Sequence, residues 1–298
     1  MAKRALQFLL ICFLILDARV IYVSPSRQLL ALAVTGESKC TFSRTMESQA
    51  SVKRLQSTAQ HMEQASRLVQ QEGDLQLWDT PRGRFWMIAS APTMSSKFAL
   101  VLSEQENRIY GQGEHFVQKG DIVLDCGADY GTFTRSALAA GAAVVVSIEP
   151  TPRKEICLRR TFENEIRSGQ VIIVPKGVWN KADFLKLYDD SIVQHKSADG
   201  PVVPLVTIDQ MVKDLNLPRV DFIKMDIEGA EMEALQGAVE TVRRFHPRMA
   251  ISLEHRPSDV DRIPDLLHRL WPDYVGVCGE CTNVSGIIQP EVLFAHSR

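Results

Sequence analysis

The feature that most constrains the fold is a regular alternation, after Gly120, of short runs rich in β-branched residues with helical segments. The runs that predict strands are Ile122–Cys126, Ala143–Ile148, Val171–Val174, Val220–Met225 and Arg248–Leu253, followed by Tyr274–Val277 and Val292–Ala295. The segments that predict helices are Thr132–Ala140, Pro152–Ser168, Ile208–Leu215, Ala230–Arg244 and Asp259–Leu270. Such alternation is typical of a parallel sheet covered by helices on both faces. We therefore predict an α/β fold with a doubly wound, seven-stranded, mostly parallel sheet that ends in a C-terminal antiparallel hairpin.

Two neighbouring strands of this predicted sheet end in carboxylates. The first is followed by a glycine-containing turn, Asp125-Cys126-Gly127-Ala128-Asp129-Tyr130-Gly131, and the second ends in Glu149-Pro150. Ligands of open α/β sheets bind at the carboxyl ends of the strands, and the two oxygens of an acid at the second end can accept hydrogen bonds from both hydroxyls of a ribose. The spacing G-x-x-x-G differs from the G-x-G-x-x-G of nicotinamide enzymes. The pair predicts an adenosine-containing ligand without a pyrophosphate.

A third strand end carries several acids, in Val220-Asp221-Phe222-Ile223-Lys224-Met225-Asp226-Ile227-Glu228-Gly229-Ala230-Glu231. Acids in the first turn of a helix complement its dipole, which accounts for Glu228 and Glu231 without any function. Asp226 lies at the mouth of the strand, and we predict a role for it at the site.

These three segments together, with Glu254-His255-Arg256-Pro257, resemble the FkbM family of methyltransferases over roughly residues 110 to 297. The resemblance implies a Rossmann-like class I methyltransferase fold, S-adenosylmethionine as the methyl donor, and O-methylation, frequently of sugars or hydroxylated natural products. The family often has Asn where this chain has Asp129. The cofactor-binding residues that the resemblance implies are Asp125, Gly127, Ala128, Asp129, Gly131, Glu149 and Pro150.

Methyl transfer to a hydroxyl benefits from a base within hydrogen-bond reach of the acceptor. By motif position, Asp226 and His255 are the candidates, and Glu228 completes the predicted catalytic set. A lone His is more often a structural hydrogen-bonding residue. An alternative is that Asp226, Glu228 and Glu254 bind a divalent ion, although we predict no metal site.

The chain before the predicted domain differs in character from the rest. Lys3 and Arg4 precede an apolar run, so residues 1–34 predict a signal peptide or a type II signal anchor, and hence a protein of the secretory pathway, secreted or membrane-anchored. Residues 35–72 predict a polar helical stalk that also allows weak self-association, because the stretch from Glu37 to Glu72 contains no Gly or Pro. A β-rich lead-in at residues 73–114 precedes the methyltransferase domain at 115–298.

Composition and cysteine spacing narrow the functions further. Lys plus Arg number 34 and Asp plus Glu 36, so no overall positive charge recruits nucleic acid. The six cysteines form neither a disulfide framework nor a structural zinc site, and Cys278 and Cys281 are interpreted as a coincidental C-x-x-C. Two other functions stay open, namely a membrane-anchored glycosyltransferase, for which Asp259 and Asp261 would supply the acidic pair, and a non-catalytic relative that only binds the cofactor. The acceptor is expected to be a small-molecule or glycan hydroxyl.

Overall fold

The fold is taken from a computed structural model, which describes residues 39–89, 94–111, 113–187, 201–284 and 287–298. The helices in these ranges are α1 (Phe42–Ala65), α2 (Ser96–Asn107), α3 (Thr132–Ala139), α4 (Pro152–Thr161), α5 (Glu163–Arg167), α6 (Ile208–Asp214), α7 (Glu231–Gln236), α8 (Val239–Phe245) and α9 (Asp259–Leu270). The strands are β1 (Arg67–Glu72), β2 (Leu75–Thr80), β3 (Gly83–Ile88), β4 (Ile122–Cys126), β5 (Val144–Ile148), β6 (Val171–Val174), β7 (Gly177–Val178), β8 (Asp183–Lys186), β9 (Val202–Val206), β10 (Phe222–Met225), β11 (Arg248–Ser252), β12 (Tyr274–Cys278), β13 (Cys281–Val284), β14 (Ile287–Pro290) and β15 (Val292–Ser297).

The main sheet has seven strands in the order β12-β15-β11-β10-β4-β5-β6. The pairs from β11 through β10, β4 and β5 to β6 are parallel, whereas β15 runs antiparallel to both β11 and β12. This confirms the predicted doubly wound sheet and its closing antiparallel pair. The chain leaves β4 toward β5 on one side and returns to β10 on the other, so the strand order reverses beside β4. Ligands bind at such a switch point.

Burial explains why the central strands are almost uninterrupted apolar runs. Every residue of β4 and β10 is buried, because helices cover both faces of the sheet. The larger core cluster packs Leu124, Ile223 and Leu235, and a second cluster packs Val123, Phe133 and Phe222. The sheet is therefore a rigid support for the loops at its carboxyl edge.

The lead-in region packs on this domain through α1, α2 and a three-stranded sheet of β1, β2 and β3. Met62 of α1 is buried in one cluster with Phe85 and Phe98. The described part of α1 is therefore packed against β3 and α2 of the lead-in region, which is not what a solvated stalk would do. The predicted helix is also wrong beyond Ala65, because residues 67–72 pair with β2 as an exposed edge strand. Every residue of β1 is exposed, so its sequence lacks the alternation of apolar and polar residues that predicts a strand.

The C-terminal region departs from the prediction in two ways. A second hairpin, β13 with β14, lies between β12 and β15. A disulfide joins Cys40 to Cys281. The interpretation of Cys278 and Cys281 as a coincidental C-x-x-C did not predict this bridge. Sequence spacing gives no sign of a bridge between residues 241 positions apart, because only the tertiary fold brings them together. The predicted signal or anchor at residues 1–34 lies outside the described residues, and within those residues no helix has the length and apolar character of a membrane span.

Candidate active site

The first strand end predicted to bind a cofactor is a tight turn that requires glycine. Gly127 has φ +80°, and a Cβ added to it would lie 1.9 Å from the carbonyl oxygen of Asp226. Gly131 caps α3 with φ +89°, where a Cβ would lie 2.2 Å from the ring of Phe162. The amides of Gly127 and Ala128 both donate to the carbonyl of Ile148, at 3.0 Å each. Glycine therefore lets the tips of β4, β5 and β10 come together.

Glu149 is the central acid of this edge. The amide of Asp129 donates to its Oε2 at 3.0 Å, and the amide of Thr151 donates to its Oε1 at 2.9 Å. Burial raises the pKa of Glu149, against the nearby charge of Lys154. Each carboxylate oxygen has a second lone pair left. Glu149 is thus fixed in orientation and keeps acceptor capacity for ribose hydroxyls.

A cleft opens between the tips of β4, β5 and β6. It is lined by Gly127, Ile148, Glu149, Pro150, Lys176, Gly177, Val178 and Ile227. The cleft has a volume of about 40 Å³. Lys176, Gly177 and Val178 were not predicted as site residues. They follow β6, whose end carries neither an acid nor a glycine.

The other predicted cofactor residues take different places. Asp129, with φ +50°, pairs its carboxylate with Lys154 at 2.9 Å. Asp125 is fully buried, accepts a hydrogen bond from Thr134 at 2.6 Å, and lies 3.4 Å from Nζ of Lys224. Burial raises the pKa of Asp125 in spite of that neighbouring cation. Asp125 thus organises the turn from behind, and its Oδ1 is a buried oxygen without a hydrogen-bond partner in the described structure.

Lys224 is a site residue that the sequence analysis did not single out. Its Nζ donates to the carbonyl of Gly127 at 2.8 Å and lies 3.9 Å from Oδ2 of Asp226. Burial lowers its pKa, but the charges of Asp125 and Asp226 outweigh burial, so the ammonium form is retained. A buried Lys in an apolar strand was the available sequence signal. The ammonium group of Lys224 lies between Asp125 at the end of β4 and Asp226 after β10.

The predicted catalytic residues meet at the third strand end. Nε2 of His255 lies 3.3 Å from Oδ1 of Asp226 and 3.7 Å from Oε2 of Glu228. The hydroxyl of Tyr110 donates to Oδ2 of Asp226 at 2.5 Å. Burial alone would raise the pKa of Asp226, but Lys224, His255 and this hydrogen bond together hold it below its usual range. Asp226 is therefore an ionised carboxylate held on both oxygens.

His255 is a cation rather than a neutral base in this arrangement. Burial lowers its pKa, but its hydrogen bond with Glu231 and the charges of Glu231, Asp226 and Glu228 raise it to about 10. Nδ1 lies 3.0 Å from Oε1 of the fully buried Glu231. An imidazolium has no lone pair for a proton, so this geometry favours Asp226 over His255 as the base at neutral pH. Glu231, interpreted from sequence only as a helix-dipole residue, orients His255 and accepts the Ile227 amide at 3.0 Å.

Further carboxyl groups surround Asp226. Burial and the charge of Asp226 raise the pKa of Glu104 to about 9, and burial with Glu254 and Glu280 raises that of Glu291 to about 8. The pKa of Glu254 is also raised, first by burial and then by Asp226. Glu104 and Glu291 lie outside the predicted motifs, on α2 and just before β15. The site around Asp226 thus contains several carboxyl groups, and those with raised pKa values are protonated in part.

The metal hypothesis gains no support from this geometry. Within the described ranges, no group of three or more His, Cys, Asp or Glu side chains is arranged to hold a metal ion. Asp226 and Glu228 contact His255 instead.

Comparison with known proteins identifies the family. The family profile described as the methyltransferase FkbM domain matches residues 125–273, which is half of the chain. The chain belongs to the FkbM methyltransferase family. It is therefore a methyltransferase whose cofactor is S-adenosylmethionine. The Tyr110 and Glu104 side chains of this FkbM protein lie before the matched range.

Individual relatives are distant. The hexuronic acid methyltransferase AglP of Haloferax volcanii is 26% identical over 172 residues, which cover 53% of this chain and 70% of AglP. The methyltransferase FkbM of Methylobacillus flagellatus KT superposes with a TM-score of 0.48 and 17% identity, over 89% of this chain and 65% of that one. The chain thus spans just under two thirds of that solved protein. TYW2 of M. jannaschii, solved in complex with AdoMet, gives a TM-score of 0.44 and 14% identity, over 78% and 90% of the two chains.

Proposed function

We propose that this FkbM-family chain transfers the methyl group of S-adenosylmethionine to a hydroxyl of a sugar, a glycan or another small hydroxylated compound. The observation that carries the proposal is the ionised Asp226 carboxylate, which lies beside the cofactor cleft and is held by Tyr110 and His255. An oxygen nucleophile needs a base that accepts its proton as the new bond forms. Asp226 offers that oxygen in a fixed position.

Each residue of the site has a separable task in this reaction. When bound, S-adenosylmethionine supplies an electrophilic methyl group on a positively charged sulfur. Glu149 holds the ribose, and Asp226 accepts the acceptor's proton and orients its oxygen. The imidazolium of His255 keeps Asp226 ionised, and Glu231 keeps His255 charged. Orientation of this kind supplies a large share of the rate in group transfer.

A cavity of about 320 Å³ supports a sugar acceptor. It lies between α1, the end of α2 and the C-terminal hairpins. Its wall includes Glu291, whose pKa is raised in part by the charge of Asp226. Its other polar side chains are of both charges, with the guanidiniums of Arg44 and Arg108, the amide of Asn107 and the carboxylates of Glu47 and Glu280. Such a mixture suits the hydroxyls of a sugar, and the guanidiniums also suit a carboxylate. The relative AglP is named a hexuronic acid methyltransferase, which agrees with an acceptor that carries both groups.

The test is a methylation assay with the full-length chain and S-adenosylmethionine labelled on its methyl group. The acceptors are glucuronic acid, galacturonic acid, glucose and galactose as aryl glycosides, together with a glycan extract. We expect label in a product one methyl group heavier than its acceptor, and none with Asp226→Asn. The matched control is Asp265→Asn, an exposed acid on α9.

Two results would contradict the proposal. Labelled cofactor that binds, with no labelled product from any acceptor, would identify a non-catalytic relative instead. Full activity of Asp226→Asn would remove Asp226 from the chemistry.

We also propose that the chain acts in the secretory pathway, either secreted or held by its N-terminal apolar segment. The Cys40–Cys281 disulfide supports an oxidising compartment. Asn283-Val284-Ser285 is an acceptor sequence for N-glycosylation, which provides the readout. Expression in animal cells should give a band that shifts on deglycosylation and does not shift in Ser285→Ala. If the expressed chain is not glycosylated and its Cys40 is reduced, the protein does not act in the secretory pathway.

A further inference from the structure

Tyr110 contacts the proposed base from a part of the chain that the family profile does not cover. It follows α2, whereas the matched range begins at Asp125. Its hydroxyl lies 2.5 Å from Oδ2 of Asp226, and its side chain is 4% exposed. A buried phenol with a single acceptor at this distance donates a strong, charge-assisted hydrogen bond.

The ring of Tyr110 is held firmly enough to fix the position of its hydroxyl. It packs edge-on against Phe133 with ring centroids 5.7 Å apart, and Nζ of Lys224 lies 5.3 Å from its centre. The same cluster contains Val117 and Val292, so three segments of the chain hold the ring. Burial and the charge of Asp226 raise the pKa of Tyr110 well above its usual range. At neutral pH Tyr110 is therefore a hydrogen-bond donor and not a base.

The two oxygens of Asp226 are held from different elements. Tyr110 donates to Oδ2, while His255, after β11, is 3.3 Å from Oδ1. The backbone beyond Asp226 turns sharply, with φ +56° at Glu228 and +92° at Gly229. A carboxylate at the start of such a turn has no helix or strand to fix its χ angles, so its contacts decide where it points.

We propose that Tyr110 is the positioning residue of the methyl transfer: it fixes the orientation of the Asp226 carboxylate, so that the lead-in region completes an active site whose other parts lie in the FkbM domain. The inference rests on the proposed function, in which Asp226 accepts the acceptor's proton. Removal of the phenol hydroxyl should free Oδ2 to rotate and should also remove a hydrogen bond that lowers the pKa of Asp226.

Tyr110→Phe removes no charged group near Asp226, so we assign a shift in the titration of Asp226 to loss of the hydrogen bond. The titratable groups near Asp226 are Lys97 and Glu104 of α2, Asp125 of β4, Lys224 of β10, Glu228 after β10, Glu254 and His255 after β11, and Glu291 before β15.

The test compares Tyr110→Phe with Tyr274→Phe in the full-length chain. Tyr274 is the matched control, because it is also buried and donates its hydroxyl, to the carbonyl of Pro247 at 2.8 Å, but does so at the edge of the sheet. For Tyr110→Phe we expect kcat to fall about tenfold, KM for S-adenosylmethionine to stay within about twofold, and the acid limb of the pH profile to move to higher pH. Tyr274→Phe should match the wild type in all three.

A second measurement does not depend on turnover. The carboxyl carbon of Asp226 is followed by NMR in protein labelled at aspartate, and its signal is assigned by its loss in Asp226→Asn. In Tyr110→Phe it should titrate at higher pH than in the wild type. If neither its titration nor the pH profile moves, Tyr110 does not position Asp226. If the wild-type chain methylates no acceptor, the proposed function is wrong. The NMR titration would still show whether the hydroxyl of Tyr110 acts on Asp226.

Discussion

At the scale of single residues, the site is built from carboxylates whose ionisation is set by their surroundings. Asp226 is kept charged by Lys224 and His255, whereas Glu104 is kept protonated by burial and by the charge of Asp226, which outweigh the charge of Lys224. Carboxyl groups in one site therefore differ in ionisation: Asp226 is charged, and Glu104 is neutral. Such separation of pKa values is common where proton transfer occurs.

Glu149 carries the test of the cofactor site. Glu149→Gln keeps the shape but places an NH₂ group against the amide of Asp129 or Thr151. It also removes the charge that we propose accepts from ribose. We expect the affinity for S-adenosylmethionine, measured by calorimetry, to fall at least about tenfold, since a hydrogen bond to a charged group contributes about 1.5–3 kcal/mol. Glu163→Gln, an exposed acid on α5, is the control. Unchanged binding by Glu149→Gln would refute the assigned cleft.

Glu104 predicts how stability depends on pH. In the folded chain its pKa is about 9, against about 4.3 for an unperturbed glutamate, so between these values the folded state keeps a proton that the unfolded state loses. Stability must fall wherever the folded state binds more protons, here as pH rises from about 5 to about 9. His255, with its pKa raised to about 10, acts in the same direction above about pH 6.5.

Urea denaturation at pH 5, 7 and 9 measures this dependence. Glu104→Gln should make the decline shallower, because glutamine does not titrate. Glu106→Gln, two residues later on α2 and paired with Arg82 at the surface, should leave it unchanged. A decline of equal slope in Glu104→Gln would show that Glu104 ionises normally.

At the scale of elements, α1 is the part of the lead-in region whose apolar stripe is thin. Arg54 of α1 donates to Asn107 at the end of α2 at 2.8 Å and to Glu280 at 3.0 Å, so α1 spans two parts of the cavity wall. Exposed contacts of this kind contribute little to stability by themselves. The packing of α1 must therefore depend on its few buried side chains.

Met62 tests that packing. Its side chain is 3% exposed, and Met62→Ala should lower the free energy of unfolding by about 2–5 kcal/mol, through lost burial and the cavity left behind. Val52→Ala, on the same helix but 38% exposed, should change it by less than about 0.5 kcal/mol. Equal effects of the two substitutions in urea denaturation would mean that α1 does not pack as described.

At the scale of the whole molecule, a disulfide joins the start of α1 to the C-terminal hairpin and encloses most of the described chain. The two cysteines are 241 residues apart. A bridge over a long loop restricts the unfolded chain strongly, although strain in the folded state reduces the gain in practice. The lead-in region and the FkbM domain are thus joined covalently beside the proposed acceptor cavity.

Removal of this bridge should have a measurable cost. Cys281→Ser should lower the free energy of unfolding by about 2–5 kcal/mol under oxidising conditions. Cys278→Ser, which changes a free cysteine three residues away, is the control and should have a small effect. Under reducing conditions the difference between Cys281→Ser and the wild type should disappear. Its persistence there would mean that the bridge does not form.

The sheet and the order of its strand ends could be predicted from the amino-acid sequence. Local patterns sufficed, because strands buried on both faces are continuous apolar runs and because glycines and acids at strand ends are contiguous in sequence, as at Asp125–Gly131 and Glu149. Asp226, Glu228 and His255 were predicted as a group, and the fold does bring them together.

Only the tertiary structure decided which charges face one another. The ionised state of Asp226, the cationic state of His255 and the roles of Lys224 and Tyr110 arise from contacts between distant segments, and so does the Cys40–Cys281 bridge. Ionisation depends on burial and on charges within a few ångströms, and these are properties of position in space rather than of sequence spacing.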